Sequence, residues 1–113
     1  MEATATEASS IRPEWLGRCR SMLESHYGSQ LGGLVLYGST ARGEAGPESD
    51  VDLLVLLREP FDYFRELRVL TSVLYPLQLE VDRLISALPT SVEEFEQGRL
   101  QLYRNAAEEG MRL

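Results

Sequence analysis

The chain has no lysine; all 11 of its basic residues are arginine. That excludes Schiff-base chemistry and a Walker-type phosphate loop, both of which need a lysine amine. A single cysteine, Cys19, rules out an intrachain disulfide, and with a single histidine, His26, cysteine- or histidine-rich metal sites are excluded by count. A Ser-His-Asp triad would have to recruit His26 from inside a helix-like stretch. Cys19 and His26 read as helix-face residues without a chemical role. No apolar run approaches the roughly 20 residues needed to span a bilayer. Residues 1–10 are small and polar, without the basic-then-apolar pattern of a signal peptide, so a cytoplasmic protein is expected. With 18 acidic residues against 11 basic ones, the formal charge is −7. Such a surface disfavours direct nucleic-acid binding, which relies on Lys and Arg to displace counterions. What remains for chemistry is carboxylates, hydroxyls and arginines.

The 113 residues, 43% of them apolar, suffice for one small domain with one real core. Residues 1–11 read as a disordered tail and 12–113 as the domain. From Pro13 to Tyr27 the apolar positions Trp15, Leu16, Cys19, Met22, Leu23 and Tyr27 have helical spacing. Leu31–Tyr37 is a short apolar run that reads as a strand. Gly38–Asp50 is the longest turn-like stretch. Val51–Leu57 is apolar on both faces except at Asp52, as in a strand buried inside a sheet. Phe64, Leu67, Leu70 and Leu74 predict a helix capped by Asp62 and ended by Pro76. Leu79–Ile85 is the third strand candidate. Ser91 with Glu94 resembles a capping box opening one or two helices that run to about Glu109. Phe95, Tyr103, Ala106 and Ala107 are their core candidates; Trp15, Tyr27 and Phe64 are also read as core. The order of elements predicts an α/β domain, a small mixed sheet packed by helices.

The segment Leu34–Leu57 carries the chemistry. Strand side chains alternate, so Asp50 and Asp52 point to one face. Two adjacent carboxylates repel and raise each other's pKa unless a cation lies between them. Hard oxygen ligands suit Mg²⁺ or Mn²⁺, and a two-metal site can bridge nucleotide phosphates in an in-line displacement. Gly38 lets the backbone approach a ligand, and Ser39 with the following amides can cradle a triphosphate. Arg42 either neutralises the same anion or sits in a surface ion pair. A third carboxylate should come from Glu80 or Asp82, two residues apart and so on one face of the expected third strand.

Gly38-Ser39, ten intervening residues, then Asp50-x-Asp52, with Gly43 and Ser49 in the flanking elements, resembles the signature of the DNA polymerase β-like nucleotidyltransferase superfamily in its minimal (MNT) branch. The resemblance runs from about residue 30 to the end of the chain, where Glu109-Gly110 is similar to a pair that often closes such chains. It implies the polymerase β-like fold, ATP as substrate, two Mg²⁺ ions, and Asp82 as the third catalytic and metal-binding carboxylate beside Asp50 and Asp52. Arg83 departs from the family pattern, which has an apolar residue after that aspartate. Small proteins of this branch often act as antitoxins that transfer AMP to a tyrosine of a HEPN-domain ribonuclease toxin. The resemblance therefore implies AMPylation of such a partner. An antitoxin acting by occlusion alone and a small-molecule nucleotidyltransferase are the alternatives.

Overall fold

In the computed structural model, residues 14–38 and 50–113 are described. The expected loop contacts of Ser39, Arg42, Gly43 and Ser49, and the expected tail, lie outside them. The elements run α1 (Glu14–Tyr27), a 3-10 turn (Gly28–Gln30), β1 (Leu31–Tyr37), β2 (Val51–Leu57), α2 (Tyr63–Glu80), β3 (Ile85–Ser91), α3 (Val92–Gln97), α4 (Gln101–Glu109) and β4 (Met111–Arg112). They form a mixed four-stranded sheet of order β3-β2-β1-β4, in which β2 pairs antiparallel with β1 and parallel with β3.

The apolar run of β2 follows from its place in the middle of the sheet. Val51, Leu53, Val55 and Leu57 enter the core beneath α1 and α2, with Leu16, Leu23, Leu70 and Leu77. Leu54 and Leu56 enter a second, smaller cluster with Val35, Phe95 and Ala106, beneath α3 and α4. Alternation therefore turns Asp52 toward the α3–α4 side. Cys19 is fully buried, and burial pushes its thiol up to about 11, which keeps it unionised. Tyr27 donates its hydroxyl proton to Glu66 at 2.9 Å, tying α1 to α2.

Three expectations are corrected. The Asp62 cap is present, its carboxylate accepting from the Arg65 backbone N–H at 3.1 Å, but the helix does not stop at Pro76. An internal proline costs about 3 kcal/mol. Continuing past it buries Leu77 completely, worth about 1.5–3 kcal/mol. It also lets the Gln78 side chain donate to the Arg83 carbonyl and accept from the Ile85 backbone N–H, each at 2.8 Å. Tertiary burial and these two bonds offset the local penalty. The third strand consequently begins at Ile85, not Leu79, and carries Pro89, which an edge strand tolerates. Among the core candidates, Phe95 and Ala106 are buried and Tyr103 partly so, but Ala107 faces solvent and Phe64 is 69% exposed. Phe64 lies in the first turn of α2, ahead of its buried positions Leu70, Leu74 and Leu77.

The end of α4 shows what the Glu109-Gly110 pair does structurally. A Cβ on Gly110 would collide with the Ala106 carbonyl, and would lie 2.9 Å from both the Leu36 carbonyl and Val35 Cγ1. Only glycine lets the chain turn from α4 back onto β1, where Met111 and Arg112 pair with Leu36 and Val35. Two of the obstacles are backbone atoms that cannot swing aside. Gly110→Ala should therefore destabilise the domain by about 1–3 kcal/mol. A denaturant melt with an unshifted midpoint would show that this return is loosely packed.

Candidate active site

Where β1 ends and β2 begins, Tyr37 and Asp52 are register partners. Gly38 follows with φ +78°, in the left-handed region. A Cβ there would lie 2.7 Å from Asp52 Oδ2. The Asp52 carboxylate thus rests directly against the Gly38 backbone. Asp50, the residue before β2, is exposed beside it. Burial first, and the Asp50 charge second, push the Asp52 carboxyl above the usual carboxylate range. Burial, then Asp52, then Tyr63 raise the Tyr37 phenol, so it stays neutral next to the pair.

The two acids expected on a third strand are not on one. Glu80 is the last residue of α2, held by Arg18 of α1 through two hydrogen bonds of 2.9 and 2.8 Å. Asp82 is exposed on the turn between α2 and β3. The β3 residue opposite Asp52 is Ser86, a neighbour that no sequence pattern revealed because it depends on register. Among the described residues, no three acidic, histidine or cysteine side chains converge as a metal cage. Asp50 and Asp52 do fit a hard divalent cation as a two-residue protein donor set, because their mutual repulsion is what such a cation relieves.

Beside the pair, α4 closes a small cavity of about 160 Å³, lined by Tyr37, Gly38, Leu102, Asn105, Ala106 and Glu109. The Asn105 Oδ1 accepts from the Gln101 side-chain amide at 2.8 Å, which leaves the Asn105 Nδ2 as the donor to offer. The site is therefore a carboxylate pair against the Gly38 backbone, at one end of the paired strands β1 and β2 and under a helix. That arrangement can hold a polyphosphate through a bridging cation. Among the described residues, no helix is long and apolar enough to cross a membrane.

The comparisons agree with this geometry. The family model "Nucleotidyltransferase domain" matches residues 16–112. A Methanocaldococcus jannaschii protein named "Putative protein adenylyltransferase MJ0604" is 35% identical over 89 residues, covering 78% of this chain and 83% of the relative. A crystal structure from Sulfolobus solfataricus, titled as that of "a putative nucleotidyltransferase", superposes with a TM-score of 0.60 at 15% identity. The superposition covers 93% of this chain and 84% of the other, and it shows the shared fold. Members of the matched family generally use nucleoside triphosphates and divalent metals. With the family model spanning nearly the whole described chain, this protein belongs to the nucleotidyltransferase domain family and is a nucleotidyltransferase.

Proposed function

We propose that this nucleotidyltransferase moves AMP from ATP to a tyrosine hydroxyl of a partner protein, a HEPN-domain ribonuclease toxin that it thereby silences. The observation that carries the reading is the Asp52 carboxylate packed on Gly38 with the Asp50 charge beside it. The name of the Methanocaldococcus relative supports a protein acceptor. In this reading Asp50 and Asp52 hold Mg²⁺, and Gly38, Ser39 and Arg42 hold the triphosphate. Bound metal supplies charge neutralisation on the phosphate oxygens. The acceptor oxygen attacks the α-phosphorus, the bond to the β-phosphate oxygen breaks, and pyrophosphate leaves. The phenol proton passes to a carboxylate of the site.

Asp82 is the third carboxylate in this reading. It lies on the segment leading into β3, at the end of the sheet where β2 starts, since the Val51 backbone N–H donates to the Leu84 carbonyl at 2.8 Å. Glu80 is already committed to Arg18, which holds its carboxyl below the usual range through the hydrogen bonds and charge of that arginine. Asp82→Asn should slow transfer at least about a hundredfold, the low end of a general-base contribution. Glu80→Gln should leave the rate nearly unchanged. The reverse ranking in a transfer assay at saturating Mg²⁺ would move the role to Glu80.

The function is tested by mixing the full chain with labelled ATP, Mg²⁺ and a HEPN-domain toxin. Label on a toxin tyrosine, with loss of ribonuclease activity, is the expected result. Inhibition of the toxin without label would replace transfer with occlusion.

A further inference from the structure

A second, larger cavity lies at the far end of β3, between the segment that follows β2 and the helices α3 and α4, and the transfer chemistry described above leaves it without a role. Its volume is about 380 Å³. Phe61, Tyr63 and Tyr103 supply aromatic walls, and Glu59 and Glu94 supply carboxylates. Among the described residues, no basic side chain lines it. Neither glutamate forms an ion pair with a described residue. We propose that this pocket receives an arginine side chain of the protein that accepts the nucleotide, so that it selects the acceptor by a cation set apart from the reacting hydroxyl. The proposal rests on the protein-acceptor reading above and adds the acceptor's chemistry to it.

The lining determines the sign and the shape of the guest. Aromatic faces attract cations through their quadrupoles, and carboxylates repel phosphate or acidic peptides. A neutral apolar guest would strip water from two carboxylates without replacing their hydrogen bonds. A planar guanidinium can stack on a ring and bind a carboxylate through two parallel bonds, which an ammonium cannot. The chain's charge of −7 favours approach of such a partner.

Placement links the pocket to the transfer site. Its β3 residues Pro89 and Ser91 pair with Val55 and Leu57, three and five positions along β2 from Asp52. At about 3.3 Å per residue, that separates the pocket from the carboxylate pair by roughly 10–17 Å. Tyr103 of the pocket lies on α4, the helix whose Leu102, Asn105, Ala106 and Glu109 close the small cavity beside the carboxylate pair. The same helix therefore borders both the carboxylate pair and the pocket. An extended acceptor segment spans that distance in roughly three to five residues.

The test is an NMR titration of the isotope-labelled full chain with a peptide carrying Tyr and Arg four residues apart. Matched peptides replace the Arg with citrulline, its neutral isostere, or with Glu, and spermidine serves as a free cation. Saturable shifts at Phe61, Tyr63, Glu94 and Tyr103 are expected with the Arg peptide. Binding should weaken at least tenfold with citrulline and vanish with Glu. The E59Q/E94Q variant, checked for an intact spectrum, should lose the preference for Arg. Equal binding of the Arg and citrulline peptides overturns the proposal, as does tighter binding of spermidine or an unchanged preference in E59Q/E94Q. A parallel Mg²⁺–ATP titration separates the two readings. ATP shifts at Gly38 and Asp52 without Arg-dependent shifts sink the arginine pocket alone. Arg-dependent shifts with no ATP response sink the transferase reading and leave the pocket standing.

Discussion

Asp50→Asn and Asp52→Asn should each reduce nucleotidyl transfer at least about a hundredfold while leaving the domain folded. The neighbours of Asp52 along β2, Val51, Leu53 and Val55, are fully buried and hold the strand whatever stands at position 52. Stability should not fall, and the sign can be worked out. Burial and the Asp50 charge raise the Asp52 pKa in the folded protein. The folded state therefore binds this proton more tightly than the unfolded chain, whose aspartate titrates near about 3.9. Ionisation costs stability as pH rises from that value through the folded pKa, and the cost persists at neutral pH. Asparagine at position 52 removes the charge, so the metal-free variant should melt at or above the wild-type temperature. The checks are label transfer to the acceptor and a thermal melt in chelator. Transfer near the wild-type rate in either variant would end the metal-ligand assignment. A collapsed melt would instead make the aspartate a structural residue.

Gly38→Ala should separate function from stability in a different way. The added Cβ meets Asp52 Oδ2 at 2.7 Å, the far end of a side chain that can swing aside. Sterically that is cheap. The backbone contributes more, because φ +78° is a region that costs a residue with a Cβ about 1–2 kcal/mol. The chemical consequence is larger still, since in the proposed mechanism the group that must move is the carboxylate that would hold the metal. A displacement of about 1 Å at a reacting centre can cost on the order of a hundredfold in rate. The expected outcome is a modest drop in melting temperature with a loss of transfer of that size. Unimpaired transfer by the alanine variant would mean that the approach of Gly38 to Asp52 does not matter to the chemistry.

Much of this molecule was legible in its amino-acid sequence, for identifiable reasons. β2 could be placed because a strand covered on both faces has nearly every residue apolar, and Asp52 stood out as the exception. The first helix followed from its periodicity, β1 from a short apolar run, and the Asp62 cap from a short polar side chain ahead of an apolar repeat. Ser91 was legible as a cap for the same reason, its hydroxyl accepting from the Glu94 backbone N–H at 3.3 Å. The pairing of Gly38 with Asp50 and Asp52 was readable because their spacing is a property of the chain itself.

The end of α2 was decided elsewhere. Pro76 is a local stop signal, and local rules end the helix there. The helix continues because Leu77 finds a place in the core and Gln78 finds the backbone of the β3 entry, contacts with residues that the local pattern does not contain. That extension moved β3 downstream by several residues, took Glu80 to Arg18 and left Asp82 on a turn. It also set Ser86 opposite Asp52. Register between strands depends on where each one starts. Where β3 starts depends on how much apolar surface α2 can bury, and that is a tertiary quantity which periodicity along one segment does not encode.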